Sequence, residues 1–243
     1  MAQRRRRCRS RADDRPGDLR AALGACRKTA AFFALFGAVC AAVPGRAAPA
    51  EADVQEWNET DLSAKITDDF MLTSVSELRF GTLLKNPARY EIGLDGSFVA
   101  SPHLVLTASY RYVANRDSAG KLDYVQSPFV AATLMDTIGS WTFSDRNRLM
   151  SALGGGQDSW IYRNRPRIDY AIEGNAFSVF MWDEFFYRSQ YERWTRNRLG
   201  AGARIGITEG CAVELYYLRQ EDNSSYPHTI NGLGVTLDWD VLR

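Results

Sequence analysis

Between residues 194 and 208 the chain alternates with a period of two. Trp194, Arg196, Arg198, Gly200, Gly202, Arg204 and Gly206 make one set, and Thr195, Asn197, Leu199, Ala201, Ala203, Ile205 and Ile207 make the other. Successive side chains of a β-strand point to opposite faces, so this stretch reads as a two-faced strand. One face is charged or bare and the other is small and mostly apolar. At about 15 residues it is longer than the roughly 3–10 usual in globular sheets.

The same alternation recurs along the chain, in segments 54–66, 70–81, 90–98, 104–112, 124–136, 141–150, 160–170, 177–188, 212–221 and 231–239. No stretch after residue 50 carries a convincing helical period. Without helices to cover a sheet, strands of this kind are satisfied by closure into a barrel, with the apolar face toward lipid and the charged face toward a lumen. The expected fold is therefore all-β, a closed antiparallel transmembrane β-barrel. The connectors near 68, 101, 138, 174 and 209 are short, while those near 85, 118, 155, 190 and 225 are longer and polar. That asymmetry matches short periplasmic turns and longer extracellular loops. Counting 194–208, the pattern yields eleven segments, and an antiparallel ring needs an even number. Twelve strands are expected, with a short one near 51–58, or ten if 124–136 is miscounted.

The first fifty residues stand apart. Residues 1–28 are basic, 29–43 are apolar, and Ala47, Ala48 and Ala50 supply small residues for cleavage. This is the form of a secretory signal, and its apolar run is too short for a spanning helix of about 20 residues. The expected division is a cleaved signal at 1–50, with a long basic leader, and a barrel domain at 51–243. The leader also distorts the charge balance. The whole chain has 30 Lys+Arg against 29 Asp+Glu, and residues 1–50 hold 11 and 3 of them, so 19 and 26 remain, a net −7. No nucleic-acid partner is implied, because the basic block leaves with the signal. Cys8, Cys26 and Cys40 leave too, and Cys211 remains alone. No disulfide within the exported chain can form.

Of the 19 remaining cations, 16 are arginine. Arginine suits fixed, partly desolvated ion pairs, because its planar fork pairs bidentately with carboxylates. The triplet Arg-Asn-Arg occurs three times, with Arg146 and Arg148, Arg163 and Arg165, and Arg196 and Arg198. A spacing of two puts both arginines of each triplet on one face and the central asparagine on the other. The turn lengths place all three triplets in the extracellular half, with Glu184 and Arg188 at the same level and Glu77, Arg79 and Arg111 elsewhere in the wall. Arg167 shares the face of Arg163 and Arg165, and Arg204 and Glu214 sit on consecutive strands at pairing height. These fourteen residues are the candidate lumen cluster. They form either an ion-pair lattice that stiffens the wall or a positive constriction for small anionic solutes.

Catalysis finds little support. A barrel enzyme acting on lipid would set His and Ser two apart on a strand, but His103 is followed by Leu104 and Val105, and His228 by Thr229 and Ile230. Two distant histidines and one cysteine make no metal set. The glycine-rich stretch at 154–156 lacks the Lys-Ser/Thr ending of a phosphate loop. No catalytic residue, cofactor or metal is expected. The other readings are a lipid-modifying barrel enzyme and a soluble periplasmic sandwich. In the last segment, Gly232, Gly234, Leu237 and Trp239 resemble the C-terminal signal by which barrels engage the assembly machinery. Outer-membrane lipid and that machinery are the expected partners.

The order of Trp57, Glu77-Leu78-Arg79, Tyr110-Arg111-Tyr112, Asp145 to Arg148, Tyr162 to Arg165, Glu184 to Tyr187, Arg196 to Gly202, Glu214 to Tyr217 and Gly232-Leu233-Gly234 is similar to that of a known family. The chain resembles small Gram-negative outer-membrane barrels known only as a domain of unknown function. The likeness spans nearly the whole part after residue 50. This chain has Gln126-Ser127 where the family has His-Arg before the proline, Pro128 here. The resemblance implies a barrel fold and an outer-membrane location, and it implies no activity.

Overall fold

The computed structural model describes residues 52–81, 87–116, 120–154, 159–224 and 228–242. The expected signal at 1–50 and the tips of four of the longer loops lie outside the described residues. Twelve strand segments follow one another: β1 (Ala52–Lys65), β2 (Phe70–Phe80), β3 (Pro87–Ser101), β4 (Leu104–Arg116), β5 (Leu122–Gln126), β6 (Phe129–Ile138), β7 (Trp141–Ala152), β8 (Ser159–Ala171), β9 (Phe177–Arg188), β10 (Arg193–Thr208), β11 (Cys211–Asp222) and β12 (Thr229–Leu242). The helical content among the described residues is one 3-10 turn, Ser189–Tyr191.

Eleven of these strands close a ring, and β5 lies outside it, paired to β4. β5 and β6 keep one register along β4, running from Arg116↔Leu122 to Leu104↔Leu134. Between them Ser127 still exchanges hydrogen bonds with Arg111, at 2.8 and 3.3 Å. The break is on the other side. Pro128 has no N–H to give to β7. Its carbonyl still accepts from Ser151, but beyond it only the Gln126↔Leu153 bridge joins β5 to the β7 side.

An odd ring cannot be antiparallel throughout. β1 and β12 pair in parallel, from Ala52↔Thr229 to Asp61↔Asp238 and on to the strand ends. This corrects both the expected count of twelve and the wholly antiparallel closure. No extra strand hides near residues 51–58, because 52–65 is one strand. Backbone pairing requires only that no edge be left open, and a parallel ladder meets that condition too.

The short connectors join strands as the alternation implies. Gly139 takes φ 61° in the two-residue link from β6 to β7 and Gly174 takes φ 73° before β9. A side chain at either position would be strained. The faces are the reverse of those of a soluble protein. Leu199 is 49% exposed and Leu233 63%, whereas Arg198 is 5% exposed and Glu184 2%. The asparagines of the three triplets face outward, where Asn147 and Asn164 bond Asp145 and Asn197 bonds Asp183.

Trp194 departs from the expected face. Thr195 is an extra residue between the pairs Trp194↔Tyr187 and Arg196↔Phe186. This bulge shifts the alternation by one. Trp194 therefore sits outside, against the rings of Tyr162, Phe185 and Tyr187 at 6.1, 6.3 and 5.7 Å.

The parallel seam can be tested by cross-linking. In a Cys211→Ala background, Asn58→Cys with Val235→Cys, which are register partners on the outer face, are expected to form a disulfide on mild oxidation. Leu62→Cys with Val235→Cys, four register pairs apart on the same face, are not. Gel mobility with and without reductant reads the outcome.

Candidate functional site

The inside of the ring is packed before it is charged. Across one row of the wall run Phe180, Gly202, Tyr216, Gly234 and Trp57, and across the next run Trp182, Gly200, Leu218 and Gly232. Large and small alternate from strand to strand. A Cβ on Gly234 would lie 2.0 Å from the Tyr216 ring, and one on Gly200 would lie 2.4 Å from Trp182. The glycines let the large side chains lie flat against the backbone. Trp57, Phe180, Trp182 and Leu218 form a buried cluster with Tyr216 packed on it. The bare positions of β10 are thus the footprints of aromatics on its neighbours. Gly232 and Gly234, read in the sequence as part of an assembly signal, have this packing role as well.

Guanidinium groups lie on those rings. Arg79 stands 3.6 Å from the Trp57 ring centre, Arg148 3.9 Å from Phe129, Arg167 4.0 Å from Phe180 and Arg163 4.5 Å from Phe186. Arg198 sits between Trp57 and Phe186, at 4.8 and 4.7 Å. A flat, weakly hydrated cation stacks in this way, whereas a lysine ammonium would not fill the same space.

Ion pairs link the wall in three groups. On β2 to β4, Arg79 donates twice to Glu77, at 2.6 and 2.9 Å. Arg89 reaches Glu77 at 3.3 Å and pairs with Glu91, while Arg111 holds Asp95 at 2.7 Å and Glu91 at 3.4 Å. A Cβ on Gly93 would collide with Arg111, so that glycine seats the arginine. In the second group, Glu184 of β9 takes Arg163 at 2.7 Å, Arg198 at 3.4 Å and Arg146 at 3.5 Å. In the third, Arg167 joins Asp169 at 2.7 Å to Glu214 at 2.8 Å, and Arg204 joins Glu214 at 3.1 Å to Asp238. Arg196 donates to Asp222 at 2.6 Å.

These side chains enclose a cavity of about 550 Å³. Twelve arginines and eight carboxylates line it, and all fourteen residues singled out in the sequence are among the lining residues. Six further charged groups were missed: Glu59, Asp61, Arg89, Glu91, Asp95 and Asp238. Glu91 and Asp95 do alternate with Tyr90, Ile92 and Leu94, so the period of two held that signal. Glu59 and Asp61 were hidden, because in 56–61 polar residues occupy both faces of β1.

The pairing is incomplete. Among the described residues, Arg148, Arg165 and Arg188 have no carboxylate within 4 Å, and neither Glu59 nor Asp61 has a cation that close. Asp61 Oδ1 and the Nε atoms of Arg148, Arg163 and Arg188 are shut off from solvent without a hydrogen-bond partner. His103 and His228 are not part of this cavity. His103 Nδ1 lies 3.2 Å from the Met135 carbonyl oxygen and His228 Nδ1 lies 3.0 Å from that of Asp222. No group of metal-ligating side chains occurs among the described residues.

Residues 54–231 match the family described as protein of unknown function (DUF2490). The chain belongs to the DUF2490 family. Among solved structures, the DUF2490 barrel is similar to one titled "NanC porin structure in rhombohedral crystal form". The TM-score is 0.50 at 11% identity, over 78% of this chain and 99% of that one. At that identity the likeness concerns the fold. A comparison with curated proteins finds no match.

Removing Glu184 leaves three arginines without their shared carboxylate. Glu184→Ala is expected to cost about 3–5 kcal/mol, as for other broken buried pairs. Glu221→Ala, which breaks a half-exposed pair with Arg219, is expected to cost under about 1 kcal/mol. Urea unfolding followed by tryptophan fluorescence compares them.

Proposed function

We propose that this DUF2490 barrel is an integral protein of a Gram-negative outer membrane and serves as a narrow passive channel, or binding protein, for small anionic solutes. The observation that carries the reading is the surplus of arginine in the cavity, with Arg148, Arg165 and Arg188 left without carboxylates. A lattice that only stiffened the wall would be served by matched pairs. Unmatched guanidiniums facing a cavity supply a positive potential that draws anions.

Three features support the membrane setting. The outward face is apolar, carrying Ile92, Leu94, Val130, Leu134, Leu199 and Leu233. Trp141, Tyr170, Trp194 and Trp239 stand near strand ends, as interfacial aromatics do. The structural likeness to a porin agrees with a barrel of this kind. A ring of about eight strands is filled by its own side chains and one of about sixteen leaves an aqueous channel, so eleven strands suit a narrow lumen. In this reading residues 1–50 are an export signal. Outer-membrane lipid surrounds the wall, and the strand carrying Gly232, Gly234, Leu237 and Trp239 engages the assembly machinery. No catalytic step, cofactor or nucleic acid belongs to it.

Purified protein in planar bilayers is expected to give discrete conductance steps. In a salt gradient the reversal potential is expected to indicate preference for chloride over potassium, and Arg148→Glu with Arg165→Glu to reduce that preference. Silent bilayers would remove the channel, and cation preference would remove the anion.

A further inference from the structure

The unmatched charges of the cavity are not scattered. Glu59 and Asp61 belong to β1, and Arg148, Arg165 and Arg188 belong to the consecutive strands β7, β8 and β9. Around the ring, β1 is five strands from β8 through β12, β11, β10 and β9, and five from β7 through β2, β3, β4 and β6. In a ring of eleven, β7 and β8 are therefore the strands opposite β1. The two carboxylates, two residues apart on one face, look across the cavity at the crowded arginines. All of these residues line the same cavity. No ion pair within 4 Å closes the gap.

The cations nearest to β1 along the wall are already engaged, Arg79 by Glu77 and Arg204 by Glu214 and Asp238. On the arginine side, Glu184 is the carboxylate held by Arg146, Arg163 and Arg198. Charges taken out of water without partners are unfavourable on both sides. A simple anion would relieve only one side. A molecule with both charges would relieve both at once. The cavity volume of about 550 Å³ falls within the rough 300–1,000 Å³ range of small-molecule sites.

We propose that the cavity is a site for a small zwitterion, with its carboxylate on Arg148 and Arg165 and its ammonium on Glu59 and Asp61. The proposal rests on the reading of the lumen as an anion-accepting one, and it narrows the solute class. It makes β1, the strand of the parallel seam, the side of the lumen that selects.

A matched series of four-carbon probes tests it on the full chain in detergent: 4-aminobutyrate, butyrate and butylammonium. Trp57 and Trp182 line the cavity and report binding by fluorescence, with calorimetry as a second readout. The zwitterion is expected to bind at least about ten-fold more tightly than either single-charge probe, the factor that one extra charged contact of about 1.4 kcal/mol supplies. Glu59→Gln with Asp61→Asn is expected to bring 4-aminobutyrate down to the affinity of butyrate and to leave butyrate unchanged or tighter. Equal binding of butyrate and 4-aminobutyrate by the unaltered protein, or no binding of any probe, overturns the proposal. These comparisons use no current measurement. Silent bilayers therefore count against the channel, and equal probe affinities count against the zwitterion site alone.

Discussion

Every backbone N–H and C=O of the wall must find its partner on a neighbouring strand, and this requirement organises the rest of the molecule. A sheet with an open edge presents a row of unpaired N–H and C=O groups. The chain solves this with eleven strands and one parallel seam, β1 against β12, held in register over most of their length. Once the ring is closed, its diameter is set. The alternation of side chains then sends every second residue into the interior, part of which stays open as a cavity of about 550 Å³.

What fills that space follows from the geometry of the wall. Alternating glycine and aromatic positions on β9 to β12 and β1 line part of the interior with flat rings, and arginines lie over these rings. Several of these guanidiniums turn an edge toward a carboxylate, Arg79 toward Glu77 of its own strand and Arg163, Arg167 and Arg198 toward Glu184 or Glu214 of other strands. Glu184 gathers arginines from β7, β8 and β10, and Glu214 gathers them from β8 and β10. The wall is therefore braced by ion pairs between strands one to three apart as well as along its hydrogen-bond ladders. The groups this bracing leaves over, positive on β7, β8 and β9 and negative on β1, are where solute chemistry enters.

Much of this was legible in the sequence because a period of two is a strong signal when both faces are consistent. On β8, Arg163, Arg165 and Arg167 alternate with Tyr162, Asn164 and Ile168, and each lies on the face its position requires. Three things were not legible, each for a physical reason. The bulge at Thr195 changes the phase of Trp194, and one inserted residue leaves no mark on composition. The parallel seam depends on how the first and last strands meet, which alternation within a strand does not encode. The interior aromatics Phe180, Trp182 and Phe186 share the face of Glu184 on β9, a strand apolar on both sides, so hydrophobicity alone could not assign them. The glycines of β10 looked bare because the rings that cover them belong to β9 and β11.

The central claim is that the apolar register of each strand is the outside of the ring and the arginine register its inside. Site-directed spin labelling of single cysteines at 196, 198, 199, 201, 203, 204 and 205, with Cys211 replaced and the protein in lipid bilayers, tests this most directly. Collision with oxygen, which concentrates in lipid, is expected to be high at 199, 201, 203 and 205 and low at 196, 198 and 204. The opposite phase, or uniform access to a water-soluble relaxant along the whole stretch, would contradict the account.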